Sequence, residues 1–254
     1  MFPLKEYTLK NELLVAAHRG SSGTAPENTI ASIEEAIRVG AEFIEIDVQL
    51  SKDKHPVVFH DFVLPSSKNH ISELRLEDLK KLEVGSKFHK SFTGESIPLL
   101  DNVIELIKEK AYILLEVKAN SGFKVNDFVH ILNVVKKHNY KNYTIFTSFR
   151  FELLKKIKEI DKNLITAALK HYNDKRLPSE IVKELDCDAF FCSILEINQD
   201  ISDDAQKNDI ILGCYPIDTI EELKYIKKFH VNAIATNFPE LILNEIRKNV
   251  PQEV

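Results

Sequence analysis

The chain has 254 residues, 44% hydrophobic and 29% charged, the profile of a soluble globular protein with material for a large core. Its 34 Lys and Arg face 39 Asp and Glu, a formal net charge of −5, so no basic field draws in DNA or RNA and nucleic acid is set aside as the main partner. Three cysteines, Cys187, Cys192 and Cys214, cannot pair completely and lack metal-ligand spacing, which argues against a disulfide framework or zinc knuckle and for reduced, buried thiols.

The start Met1-Phe2-Pro3-Leu4-Lys5-Glu6 has an acid and a proline where a signal peptide needs a basic start and an unbroken apolar core. No stretch reaches the roughly 18 apolar residues of a membrane span. A cytoplasmic protein with no stable membrane insertion is expected. Residues 13–17 form a short apolar run that ends in His18-Arg19-Gly20, a buried strand running into a loop. After a small, polar loop, Asn28 is expected to cap a helix with Ile30, Ile33, Ala36 and Ile37 at helical spacing, and Gly40 to end it. The second strand is Phe43-Ile44-Glu45-Ile46-Asp47-Val48. Alternate side chains of a strand share a face, so Glu45 and Asp47 leave this apolar segment on the same side. Buried side by side, two carboxylates are costly and repel each other, so a positive charge is expected between them.

Pro56-Val57-Val58-Phe59-His60-Asp61 is another short extended run whose polar end carries a histidine. Residues 62–98 interrupt the pattern with a polar segment and one helix, over 76–82, read as an insertion over one face. Regularity then returns. Helices over 101–110, 125–138, 149–160, 177–185, 220–229 and 239–248 alternate with apolar runs over 112–117, 143–147, 164–169, 189–192, 210–214 and 233–236. Counted with the first two, the runs make eight strands. Strands alternating with helices over about 250 residues predict a (β/α)8 TIM barrel, one domain over 1–254 with a small insertion after the second strand. The alternative is an open doubly wound sheet, but neither G-x-G-x-x-G nor a Walker A loop follows strand one.

In a barrel, His18 and Arg19, Glu45 and Asp47, His60, and Glu116 with Lys118 all gather at the C-terminal face, where barrel enzymes keep their active sites. Three carboxylates without a Cys or His cluster suit a hard, oxygen-preferring cation, Mg2+ or Ca2+. Histidines near their ordinary pKa of about 6.5 suit proton transfer. Arg19 and Lys118 are fixed positive charges of the kind that hold a phosphate. The set describes phosphoryl chemistry better than glycoside cleavage, which needs two carboxylates and no cationic cluster.

His18-Arg19-Gly20, Pro26-Glu27-Asn28-Thr29, Glu45-Ile46-Asp47-Val48, Pro56-Val57-Val58-Phe59-His60-Asp61 and Glu116-Val117-Lys118 stand in an order and rough spacing that resembles the glycerophosphodiester phosphodiesterase family. The match is strong over the first half of the chain and weak over the rest. The resemblance implies a (β/α)8 barrel that hydrolyses glycerophosphodiesters to glycerol 3-phosphate and an alcohol with one divalent cation. It implies Glu45, Asp47 and Glu116 as metal ligands, His18 and His60 as the acid/base pair, and Arg19 and Lys118 as phosphate contacts. Within the pair, His18 is taken as the base and His60 as the acid on the leaving alcohol, and Glu27 as a supporting partner. Expected substrates are small, deacylated head-group esters such as glycerophosphocholine. A phospholipase of related barrel type and a non-catalytic phosphate-ester binding protein are the alternatives.

The chain departs from the family pattern in three places. Lys54 stands where a glycine is frequent, Thr236-Asn237-Phe238-Pro239 replaces T-D-x-P, and Gly213-Cys214-Tyr215-Pro216 replaces an aromatic T-V-N segment. The last two lie at strand ends facing the expected site and bear on substrate choice. His55, His70, His89, His130, His138, His171 and His230 are read as surface or satisfied core residues. Lys155-Lys156 and Lys227-Lys228 are read as solvated helix faces. Ser148 and Tyr215 are weaker candidates for lining the pocket.

Overall fold

The structure, a computed structural model, describes residues 1, 4, 13–65, 68–120 and 122–248. Most of the N-terminal run considered above lies outside the described residues. In the first half of the chain the elements are β1 (Leu14–Ala17), α1 (Ile30–Arg38), β2 (Phe43–Leu50), β3 (Pro56–Val58), α2 (Leu76–Leu79), α3 (Leu100–Ile107), β4 (Tyr112–Val117) and α4 (Phe128–Lys137). There follow β5 (Thr144–Ser148), α5 (Phe151–Ile160), β6 (Ile165–Leu169), α6 (Pro178–Leu185), β7 (Ala189–Ser193), α7 (Gln199–Lys207), β8 (Ile211–Tyr215), α8 (Ile220–Ile226), β9 (Ala233–Thr236) and α9 (Pro239–Lys248).

Eight strands pair in parallel in the order β1, β2, β4, β5, β6, β7, β8, β9, and β9 returns to β1 to close the ring. This is the (β/α)8 barrel expected from the alternation. The ninth strand, β3, runs antiparallel against the end of β2 and stands outside the ring, with Val48 opposite Val58. Strand alternation divides the core in two. Leu14, Ala16, Phe43, Tyr112, Leu114, Ala167 and Phe191 fill the barrel, while Val15, Ile44, Ile46, Ile113, Leu115, Phe190 and Cys192 pack outward against the helices. Glu45 and Asp47 are two and four residues beyond Phe43, so they share its inward face nearer the C-terminal mouth.

One helix is new, and the ends of α2, α3, α4 and α8 fall up to three residues from the expectation. α7 lies between β7 and β8, where none is expected from the sequence. Its stretch Gln-Asp-Ile-Ser-Asp-Asp-Ala-Gln-Lys buries only Ile201, Ser202 and Ala205, too narrow an apolar stripe to read, although Asn198 caps it by accepting the Ile201 N–H at 3.0 Å. α2 stops at Leu79 instead of Leu82, because Lys81 and Leu82 bond three residues back, to Asp78 and Leu79, in tighter turns. The 62–98 segment has a small apolar centre, formed with β3: Val57, Leu64, Ile71, Leu79 and Ile97. Lys54, where a glycine is frequent, takes a left-handed φ of 65° and also pairs with Asp127 at 3.0 Å, so it contributes more than turn geometry. At the N-terminal floor of the barrel an apolar cavity of about 370 Å³, lined by Leu4, Leu14, Phe43, Phe191 and Ala233, holds none of the expected site residues.

Candidate active site

The site begins with register. Asp47 on β2 and Glu116 on β4 are direct cross-strand partners, and the Lys118 N–H donates to Val48 O at 2.9 Å, which brings Lys118 up beside both acids. Carboxylate oxygens of Glu45, Asp47 and Glu116 all lie within 4.8 Å of one another. Lys118 Nζ is 2.9 Å from Glu116 and 3.5 Å from Asp47.

Strand β1 delivers the next pair. His18 leaves the strand and Arg19 follows in a left-handed conformation, φ 57°, which costs a non-glycine residue of order 1 kcal/mol or more and therefore marks a constrained position. That turn aims the Arg19 backbone N–H at Glu45 Oε2, 2.8 Å away, and its guanidinium at Asp47, 3.2 Å, and Glu27, 2.9 Å. Gly20 is required next to it. A Cβ there would meet the backbone of Ser32 on α1 at 2.6 Å, and its φ is +78°. His18 Nε2 lies 3.9 Å from Glu45, and its Nδ1 is 2.8 Å from Asn237 Oδ1.

His60 arrives on the antiparallel arm. The Phe59 N–H donates to Asp47 O at 2.9 Å, and Gln49 Nε2 lies 2.8, 3.2 and 2.8 Å from the carbonyls of Phe59, His60 and Asp61. His60 Nδ1 is 2.8 Å from the Asp61 carboxylate, and its ring lies within electrostatic reach of Asp47 and Glu116. The structure thus brings together all seven residues singled out in the sequence.

Asn28 is a correction. Thr29, not Asn28, caps α1: its side chain accepts the Ser32 N–H at 3.3 Å, and Ser32 Oγ accepts the Thr29 N–H in return. Asn28 is buried with a left-handed φ of 57° and faces the acids. Its Nδ2 donates to Asp47 Oδ2 at 2.8 Å and its Oδ1 accepts the Asp47 N–H at 3.1 Å. Asn28→Ala leaves the Asp47 N–H without this acceptor in the interior and removes one of the carboxylate's partners, Arg19 and Lys118 remaining, and is expected to cost about 1–3 kcal/mol in a urea melt. Glu27 is the partner expected of it, through Arg19.

The electrostatics follow from burial. Burial, then repulsion from Asp47 and Glu116, pushes Glu45 well above the ordinary carboxylate range despite Arg19. Burial and Asp47 also raise Glu116, against the pull of Lys118. For Asp47 burial works upward too, but Lys118 and Arg19 outweigh it and hold the group below its usual value. Burial, reinforced by Arg19, lowers His18, which favours the neutral ring. Tyr215, half-buried at the end of β8, is raised by burial and by the charge of Glu116, while Cys214 turns outward into the core. Ser148 donates to Val117 O at 2.9 Å and acts as a brace. A cleft of about 420 Å³ opens beside Glu116 and Lys118, lined also by Phe62, Phe149, Phe151 and His171.

Acids and bases crowded at the C-terminal mouth of a parallel barrel, with fixed cations among them, define an enzyme for phosphate esters. The model described as the glycerophosphoryl diester phosphodiesterase family matches residues 18–241, and the chain belongs to that family. A glycerophosphodiester phosphodiesterase of Caldanaerobacter subterraneus subsp. tengcongensis is 32% identical over 240 residues, covering 92% of this chain and 98% of the relative. Another, of Bacillus subtilis, is 27% identical over 91% of this chain and 85% of its own length. Among solved structures, a phosphodiesterase of Oleispira antarctica, in complex with the product sn-glycerol 3-phosphate, superposes with a TM-score of 0.87 at 28% identity, covering 92% of this chain and 96% of that one. No helix among the described residues is long and apolar enough to cross a membrane.

Proposed function

We propose that the protein hydrolyses small glycerophosphodiesters, such as glycerophosphocholine and glycerophosphoethanolamine, to sn-glycerol 3-phosphate and the free alcohol. The observation that carries this reading is the meeting of three acids from two strands within 4.8 Å, beside Arg19 and Lys118. The donor set fits a hard divalent cation: all three groups offer carboxylate oxygens, and the burial and mutual repulsion that raise Glu45 and Glu116 are what a bound cation would offset. Glu45, Asp47 and Glu116 would hold Mg2+ or Ca2+, whose charge polarises the phosphoryl group and offsets the charge that develops on it.

The remaining chemistry belongs to the chain. Arg19 and Lys118 orient the phosphate. Neutral His18 accepts the proton of the attacking hydroxyl at Nε2, whether from water or from the substrate's glycerol. His60, its Nδ1 anchored on Asp61, donates a proton to the departing alcohol. The product bound to the Oleispira antarctica structure supports the glycerol phosphate end of the reaction. The test is an assay of purified protein on a panel of glycerophosphodiesters and one intact phospholipid, with and without chelator. Release of glycerol 3-phosphate that is confined to the deacylated substrates and lost on chelation is expected. Cleavage of the phospholipid alone would replace this reading with the phospholipase one, and no turnover of any substrate would leave a binding protein.

A further inference from the structure

The Asn237 side chain has one orientation open to it. Its Nδ2 lies 2.6 Å from Asp218 Oδ2, and a carboxylate offers only lone pairs, so the amide NH2 must face Asp218. Asp218 is itself fixed, since its Oδ1 accepts the Asn237 backbone N–H at 2.7 Å and the Thr236 hydroxyl at 3.2 Å. The amide oxygen of Asn237 is therefore turned the other way, to His18 Nδ1 at 2.8 Å. A carbonyl oxygen accepts and cannot donate, so Nδ1 carries the proton of the neutral ring. Nε2 is left with its lone pair, and Nε2 is the nitrogen that faces the acid cluster, 3.9 Å from Glu45.

We propose that Asp218, acting through the Asn237 amide, fixes the tautomer of His18 and is a positioning residue of this enzyme, an assignment that rests on the proton-accepting role given to His18 above. Asp218 sits in the turn between β8 and α8 and touches none of the acids or cations of the site. Its influence reaches the reacting hydroxyl only through two hydrogen bonds. The same geometry accounts for an asparagine at 237. An aspartate there would put two carboxylates against each other at the Asp218 contact, whereas the amide gives each neighbour the group it needs.

The Asp218→Asn variant reverses the chain of donors. The new side chain keeps an oxygen on the Asn237 backbone N–H and so presents its NH2 to the Asn237 side chain. That amide turns its own oxygen to meet it and offers NH2 to His18 Nδ1, which moves the ring proton to Nε2, while the Ser22 hydroxyl, within 2.7 Å of both Asn237 Oδ1 and His18 O, donates to His18 O and can accept from the turned NH2. Nitrogen-15 NMR of the histidines is expected to show His18 as the Nδ1–H tautomer in the wild type and as Nε2–H in Asp218→Asn. The kcat of the variant is expected to fall by about 10²-fold or more, with KM within about threefold, as for loss of correctly placed general-base catalysis. The double variant Asp218→Asn/Asn237→Asp restores an obligate acceptor at Nδ1 with a donor behind it, and is expected to recover the Nδ1–H tautomer and most of kcat.

An Nε2–H ring in the wild type, an unchanged kcat in Asp218→Asn, or a loss that the double variant does not recover would each overturn the proposal. The wild-type spectrum decides even where a variant fails to fold. Normal turnover in His18→Ala would instead remove the catalytic reading itself, a result independent of which nitrogen holds the proton.

Discussion

Removing divalent cations with a chelator is expected to lower turnover by at least about 10³-fold, a barrier increase of roughly 4 kcal/mol, with recovery on adding back Mg2+ or Ca2+. The same treatment has a second, thermal signature. Glu45 and Glu116 have raised pKa values in the folded protein, so between the ordinary carboxylate range and their raised values the folded state binds more protons than the unfolded one. Stability under those conditions falls as pH rises. Asp47 is shifted the other way, but its contribution is lost only as pH drops below the usual Asp range, outside the window of interest. His18, whose lowered pKa gives the opposite slope up to its ordinary value, is replaced by Ala for this measurement, and with chelator present the melting temperature should then decline as pH rises above the ordinary carboxylate range. Saturating divalent cation should raise it most at the upper end and flatten the slope, with protons released on binding. A melting temperature indifferent to both pH and added cation would remove the case for a shared ion.

His18→Ala and His60→Ala are each expected to reduce kcat by about 10²- to 10⁴-fold while the circular dichroism spectrum is unchanged. The two should part company on substrates with a good leaving group. A nitrophenyl ester needs little protonation as it departs, so it should recover most of the His60→Ala loss. It should recover little of the His18→Ala loss, because the attacking hydroxyl still lacks its base. The reverse pattern would exchange the two assignments, and wild-type rates in either variant would discard that residue's role.

The acidic strand was readable because period-two alternation is a local property: Glu45 and Asp47 interrupt an apolar run on one face, and the barrel leaves that face no other direction than inward. The helix–strand alternation carried the closed ring for the same reason. Asn28 reads as the cap because its sequence context is a sound helix start, and what separates it from Thr29 is a left-handed backbone held by tertiary partners, its N–H on Arg19 O and its side chain on Asp47. α7 does not stand out because Ile201 and Ala205 are its only apolar residues, too few to establish a period by themselves. Asp218 had no signal either. An acid in a turn before a Thr-capped helix reads as solvated, and its contact with Asn237 depends on β8 and β9 lying side by side. Residues whose part is to orient others are set by tertiary neighbours, and spacing along the chain does not record them.

His60 rides on an arm outside the closed ring, and a single glutamine amide gathers the three carbonyls around it. The two imidazoles are thus mounted on different supports, one on the rigid wall and one on an outboard bracket. With His60 as the proposed acid on the leaving alcohol, the bracket and the 62–98 segment it leads into can consequently be exchanged with no strand of the ring altered. Chimaeras that graft this stretch between members of the family should exchange alcohol preference while keeping the handling of glycerol phosphate.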